Sequence, residues 1–248
     1  MSSPFGTIGR YYDLFYTDKD YGAEVAYLHS LLHKHGISGK KLLEFGCGTG
    51  QHACLLSKEG YEVHGIERST SMLSRVSATQ GFTYEHGDIT SLQIGRCFDA
   101  VLSLFHVVSY QISNSDVSAV FTNAARHLSP GGLFVFDVWY SPAVAMQRPT
   151  VRIKRLSAHD LSIIRIAEPD IHTNENRVDV NYTVLAQNIR TGKLETITEV
   201  HPMRHFSLPE LDLLAGFTGF ERLSAEEWLT GAEPSEATWG LCLVLRKT

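Results

Sequence analysis

The sequence predicts an α/β protein: a doubly wound, mostly parallel sheet that carries a small antiparallel β insertion after its fifth strand. Three observations carry that expectation. An apolar run, Leu42-Leu43-Glu44-Phe45, breaks into Gly46-Cys47-Gly48-Thr49-Gly50 and then into a helical pattern over 51–58, as a buried strand, a tight turn and a helix would. Short apolar runs then alternate with helical segments as far as residue 140, which suits parallel strands because each crossover between them needs a helix. From 151 to 206 the apolar period changes to two, with turn signals between the runs, as in antiparallel hairpins.

Composition bounds the answer. At 248 residues the chain can bury one α/β core with an insertion. Apolar residues make up 43% and charged residues 20%, which excludes a disordered chain. The net charge is −5 with no long basic block, which argues against nucleic-acid or membrane-surface partners. Cys47, Cys54, Cys97 and Cys242 are scattered without a C-x-x-C pair and read as buried thiols in a reducing cytoplasm. No apolar run reaches membrane-spanning length and residues 1–10 lack the apolar core of a signal peptide, so the expected location is cytoplasmic.

Each element follows in order. Tyr11-Tyr12-Asp13-Leu14-Phe15-Tyr16 and Asp18-Lys19-Asp20-Tyr21 are too aromatic to remain in water, and a lid folded over a cleft would bury them. Val25, Leu28, Leu31 and Leu32 recur at a helical period over 21–35, and Gly36 stops the helix. The glycines after Glu44 allow a sharp turn that a ligand can touch, and the helix beyond offers free N–H groups. The third glycine falls two residues after the second, not three, so the dinucleotide fingerprint of an oxidoreductase is absent. The second strand, 61–67, ends on Glu67. That is 17 residues beyond Gly50, where an α/β site places the carboxylate that accepts from both ribose hydroxyls. Ser69 caps a helix through Thr70-Ser71-Met72-Leu73, and a third strand at 82–85 leads to Gly87-Asp88-Ile89. The nearly all-apolar run 98–104 is a central strand, with Phe105-His106-Val107-Val108-Ser109-Tyr110 at its carboxyl end, the ligand side of such sheets. A helix over 115–128 turns through Ser129-Pro130-Gly131-Gly132 into the fifth strand, 133–138, which exits through Asp137, Trp139 and Tyr140. The inserted strands fall at 151–156, 161–169, 177–187 and 193–204, and a capped helix at 207–215 and strands at 220–223 and 239–247 close the chain.

With Glu44 ahead of Gly46-x-Gly48-x-Gly50 and these motifs following in order, the chain resembles the class I S-adenosylmethionine-dependent methyltransferases. The resemblance implies a seven-stranded Rossmann-like sheet with a reversed last strand, and S-adenosyl-L-methionine as cofactor, leaving as S-adenosyl-L-homocysteine. It implies a cofactor site of Glu44, Gly46, Cys47, Gly48, Gly50, Glu67, Arg68, Met72, Asp88, Ile89 and Leu104. In it the loop wraps methionine and ribose, Asp88 accepts from the adenine amine, Ile89 packs on the ring and Met72 lines the adenine pocket. Tyr-Asp-Leu-Phe-Tyr followed by Lys-Asp-Tyr further resembles the opening of the aminosugar N,N-dimethyltransferases of deoxysugar biosynthesis. In that family a lid tyrosine lies beside cofactor and acceptor. Tyr12 matches it, and Tyr21 is the next candidate. Tyr110 falls where the family sets a histidine or tyrosine against the amine, whereas His106 stands where relatives carry serine, so its role rests on location alone. Tyr12, His106 and Tyr110 are thus the catalytic candidates, and Phe105, Asp137, Trp139 and Tyr140 the expected border of the acceptor pocket. The resemblance also implies that 1–140 and 207–248 bind the cofactor while 141–206 covers the acceptor and pairs two subunits. No metal is expected. Arg152, Lys154, Arg155, Arg165 and Arg177 give the insertion a positive bias that suits the phosphates of a nucleotide-linked sugar.

Methyl transfer from a sulfonium is an in-line displacement in which near-attack placement alone is worth roughly 7 to 11 kcal/mol. An amine brings its own lone pair, while a hydroxyl needs a general base, for which His106 is the candidate. The expected function is N-methylation of an amino group on a nucleotide-linked deoxysugar. The alternatives are O-methylation of a sugar or other small metabolite with His106 as base, and a cofactor-binding module without catalysis. Methylation of nucleic-acid bases is disfavoured, since no Asn/Asp-Pro-Pro-Tyr/Phe motif occurs.

Overall fold

Strand β1 (Lys41–Phe45) is buried along all but its first residue, and its side chains divide between two cores. The structure is a computed structural model and describes residues 4–77 and 79–248, so the first three residues of the expected cofactor-binding core lie outside the described residues. After a 3-10 turn come α1 (Tyr12–Phe15) and α2 (Tyr21–Lys34), then β1, α3 (Gln51–Lys58), β2 (Glu62–Glu67), α4 (Thr70–Leu73), β3 (Phe82–His86), β4 (Phe98–Ser103) and α5 (Asn114–His127). There follow β5 (Leu128–Tyr140), α6 (Ser141–Gln147), β6 (Arg152–Ala158), β7 (Leu161–His172), β8 (Arg177–Asn188) and β9 (Leu194–Phe206). The chain ends with α7 (Leu208–Phe217), β10 (Phe220–Glu227) and β11 (Gly240–Lys247).

The main sheet runs β3-β2-β1-β4-β5-β11-β10, parallel through β5, with β11 antiparallel to β5 and β10 antiparallel to β11. This is the expected seven-stranded, doubly wound sheet. On one face Leu43, Phe45, Phe134 and Phe136 pack with Phe121 of α5 and Leu211 of α7. On the other, Leu42, Leu102 and Val135 pack with Leu28 and Leu32 of α2 and Leu56 of α3. β1 and β4 are neighbours whose connections leave in opposite directions, and their carboxyl ends open a crevice there.

Strands β6 to β9 form a four-stranded antiparallel meander that joins β5 by a short parallel pairing, Trp139 to His205 and Tyr140 to Phe206. One face of it covers the aromatic N-terminal segment: Ile8 and Phe15 pack with Ile163, Val184, Ala186 and Ile197. Burial of these rings is therefore shared between the cleft and the inserted sheet.

Three details depart from expectation. Residues 141–147, counted with the inserted antiparallel sheet, form a helix with Pro142 in its first turn. Ser207 makes no side-chain cap on α7. Among the cysteines, all free, Cys47 and Cys242 are buried, but Cys54 is half-buried and Cys97, just before β4, is exposed.

Candidate active site

A cleft of about 820 Å³ lies at the carboxyl ends of β1, β2 and β4, and its floor is the glycine loop. The loop folds back because Gly46 N and Cys47 N both donate to Ile66 O, at 2.8 and 3.1 Å, and Gly50 N donates to Cys47 O at 2.8 Å. Gly46 and Gly50 have φ of +71° and +79°. A Cβ would stand 2.6 Å from Val107 Cγ2 at Gly46 and 2.6 Å from Phe82 Cε1 at Gly50, so only glycine fits either place.

Two buried carboxylates flank the loop. Glu67 accepts from Gly48 N at 3.0 Å and Ser69 N at 2.7 Å, one donor per oxygen, which leaves each oxygen a lone pair for a ligand hydroxyl. Burial pushes its carboxyl up, against these bonds. Glu44 is more extreme. Its Oε2 is buried with no hydrogen-bond partner, and burial, reinforced by the charge of Glu67, pushes the carboxyl up to about 8.

Behind Glu44 sits a network that sequence reading missed. His52 Nε2 lies 2.6 Å from Glu24 Oε2, its Nδ1 is 3.8 Å from Glu44 Oε1, and Trp228 Nε1 donates to Glu24 Oε1 at 3.2 Å. Lys19 pairs with Glu24 and lies 4.2 Å above the Phe105 ring. Burial favours a neutral Glu24, but the bonds from His52 and Lys19 outweigh it and hold the carboxyl down to about 2. His52 is the second residue of α3, on the turn that meets the loop. Glu24 comes from the helix before β1, so only tertiary structure joins them.

The roof is aromatic. Phe5, Tyr12, Tyr21, Phe105 and Tyr110 all line the cleft. Burial pushes the Tyr12 and Tyr21 hydroxyls both upward. Tyr21 meets His52 edge-on with centroids 5.0 Å apart, and the Tyr110 hydroxyl lies 3.0 Å from His201 Nδ1 of the inserted sheet. Asp13 ties the lid to the floor, accepting from Thr49 Oγ1 at 2.7 Å and from Arg75 Nε and Nη2 at 3.1 and 3.0 Å.

Most expected site residues meet here: Tyr12, Tyr21, Glu44, Gly46, Cys47, Gly48, Glu67, Arg68, Met72, Asp88, Ile89, Leu104, Phe105 and Tyr110. Gly50 shapes the loop from behind. His106, Asp137, Trp139 and Tyr140 are not on the cleft wall. Phe105 and His106 take consecutive left-handed conformations, φ +63° and +62°, which put Phe105 on the cleft and carry His106 away. The His106 Nδ1 then lies 2.7 Å from Asp137 Oδ2, which also accepts from its backbone N at 3.1 Å, and its ring meets Trp139 edge-on at 6.3 Å. Tyr140 packs against the core beside α7. Thr49, Gln51, Val107 and Gln111 line the cleft without having been singled out, although each adjoins a residue that was.

Comparison with known proteins agrees with this geometry. A methyltransferase domain is matched over residues 42–132. The dTDP-3-amino-3,4,6-trideoxy-alpha-D-glucopyranose N,N-dimethyltransferase of Streptomyces venezuelae is 31% identical over 176 residues, which cover 70% of this chain and 74% of that one. The dTDP-3-amino-3,6-dideoxy-alpha-D-glucopyranose N,N-dimethyltransferase of Streptomyces fradiae is 28% identical over 182 residues, covering 72% and 71%. Among solved structures, the sugar N-methyltransferase KedS8 of Streptoalloteichus superposes with a TM-score of 0.81 at 22% identity, covering 98% of this chain and 95% of its own. The amino pentose methyltransferase of Micromonospora echinaspora, solved with S-adenosylmethionine, superposes with a TM-score of 0.74 at 22% identity, covering 93% and 92%. The fold, the glycine loop with its two acids and the sequence similarity converge: the chain belongs to the class I S-adenosylmethionine-dependent methyltransferases and is a relative of the aminosugar N,N-dimethyltransferases.

Proposed function

We propose that this methyltransferase transfers methyl groups to the amino nitrogen of a nucleotide-linked deoxysugar. The observation that carries the reading is the similarity to the dTDP-aminosugar N,N-dimethyltransferase of Streptomyces venezuelae over most of both chains.

The residues present fit S-adenosylmethionine. The unpartnered Oε2 of Glu44 suits an ammonium donor such as the cofactor's amino group. Glu67 suits the ribose hydroxyls, Asp88 and Ile89 suit adenine, and Met72, Cys47, Leu104 and Arg68 complete the walls. When bound, the cofactor supplies an electrophilic methyl on a sulfonium. The chain's own part is to wrap that group in the glycine loop, exclude water with Tyr12, Tyr21 and Phe105, and orient the acceptor nitrogen with Tyr12 and Tyr110. Rings near a sulfonium add attraction on the order of 1 kcal/mol.

The division of labour assigns cofactor binding to 1–140 and 207–248 and acceptor cover to 141–206. Of the basic residues there, Lys154 and Arg177 are taken up by Asp18, Glu175 and Asp179, and Arg165, beside Phe15, Tyr16 and Tyr182, is the candidate for the diphosphate. Two copies pair through the outer face of the inserted sheet, where Ile153, Leu194 and Val200 are exposed. The enzyme works in the cytoplasm. No helix among the described residues is long and apolar enough to cross a membrane. Against O-methylation stands the place of His106, off the cleft and beside Asp137.

The test is incubation of the purified protein with methyl-labelled S-adenosylmethionine and panels of nucleotide-linked amino and hydroxy sugars. Label should appear on amino sugars. Transfer to hydroxy sugars alone would overturn the reading.

A further inference from the structure

Tyr110 lines the cleft, and its hydroxyl begins a buried chain that no sequence motif announces. It lies 3.0 Å from His201 Nδ1, and His201 Nε2 lies 3.2 Å from Glu199 Oε2. Glu199 and His201 sit two residues apart on β9, on the same side of the strand, and are 3% and 1% exposed. Glu199 also accepts three lid amides: Phe5 N at 3.0 Å on Oε2, and Thr7 N at 2.6 Å and Ile8 N at 2.8 Å on Oε1.

These contacts determine where the protons are. Three backbone amides, which can only donate, hold Glu199 in its ionised form, and the one lone-pair position they leave, on Oε2, faces His201 Nε2. His201 therefore carries its hydrogen on Nε2 and offers a bare Nδ1, to which the Tyr110 O–H donates. Tyrosine, imidazole and carboxylate stand in the order of a nucleophile, base and orienter, with the tyrosine end open to the cleft.

We propose that Tyr110, His201 and Glu199 form a proton relay that strips the acceptor nitrogen before methyl transfer, an inference that rests on the amine-acceptor reading above. A protonated amine has no lone pair and cannot attack. Its N–H bond breaks as the Tyr110 oxygen takes the proton, and the Tyr110 O–H bond breaks as His201 Nδ1 takes that one. The positive charge thus moves from ammonium to imidazolium, where Glu199 faces it. Arg165 of β7, which shares a small cavity with His201, and Arg68 near Tyr110 oppose that charge, while Tyr182 of β8, Phe5 and Tyr16 enclose the group without offsetting it. Glu199 thus serves the lid and the relay together, holding the lid through three amides while it faces His201. His201 and Glu199 act through Tyr110 and are positioning residues.

Two measurements test this. In the intact protein with S-adenosylhomocysteine bound, nitrogen NMR of His201 at pH 7.5 should show hydrogen on Nε2 alone, and Glu199→Gln should abolish that preference. A ring with its hydrogen on Nδ1 overturns the relay whether or not any amino sugar is an acceptor. In turnover of an amino sugar, His201→Gln should lower kcat on the order of 100-fold, with the acceptor KM within about twofold and a steeper dependence on rising pH. Tyr110→Phe/His201→Gln should be no slower than the slower single variant. Multiplying losses, or an unchanged pH profile, would overturn the proposal and leave the acceptor assignment intact.

Discussion

Glu44 in the floor of the cleft and Glu199 in its roof are both almost wholly buried, and the protein treats them in opposite ways. Glu199 is surrounded by four donors and, although burial favours the neutral form, the bonds from His201, Ile8 and Thr7 hold its carboxyl below the usual range. Glu44 has an oxygen with no partner, and burial pushes it up to about 8. A carboxylate saturated by its own chain is a latch. One left short of a donor marks where something from outside must complete the site.

The contrast can be broken at the roof first. Glu199→Ala strips three lid amides and His201 of their acceptor, and each buried donor left unpaired costs about 1 to 3 kcal/mol. With partial rehydration of the lid, a loss of about 3 kcal/mol is expected in denaturant unfolding. A loss below about 1 kcal/mol would mean that Glu199 does not hold the lid. In the floor, Glu67→Ala should weaken S-adenosylmethionine binding by roughly 100-fold in calorimetry, from two lost bonds to a charged group, with a smaller effect on kcat. Equal affinity would remove the ribose assignment.

Glu44→Gln sharpens the comparison because it should raise the stability of the cofactor-free protein while weakening cofactor binding by about tenfold. The sign follows from linkage. The folded-state pKa of Glu44 is raised from 4.5 to about 8, so the folded protein holds the extra proton and loses stability as pH rises between those values. Glu199, whose pKa is lowered, contributes stability that is present above about 4.5 and lost on acidification. Glu44→Gln should flatten the first slope and leave the second. The smallest effect is on binding: affinity for the cofactor should rise severalfold between pH 6.5 and 8 as Glu44 gives up its proton to face an ammonium, and the Gln variant should show no such rise.

The floor was legible in the sequence because its parts are local. A strand, three glycines and an acid at the end of the next strand need only a few neighbouring residues each, and Glu44, Gly46, Gly48, Glu67, Asp88 and Ile89 all line the cleft. The roof is built across the chain. Glu199 reaches residues nearly two hundred positions away, and Glu24 meets His52 only after the strands have paired. His106 shows the opposite difficulty: its place at a strand end was correct, but two successive left-handed residues, neither of them glycine, turned its side chain toward Asp137. No periodicity announces such a turn.

The most direct test is a crystal structure with S-adenosylmethionine bound. The account predicts adenosyl density between Ile89 and the Gly46–Gly50 loop, ribose hydroxyls on Glu67, and the amino group within hydrogen-bond reach of Glu44 Oε2. Density elsewhere, or a bound cofactor that leaves Glu44 Oε2 without a partner, would contradict it.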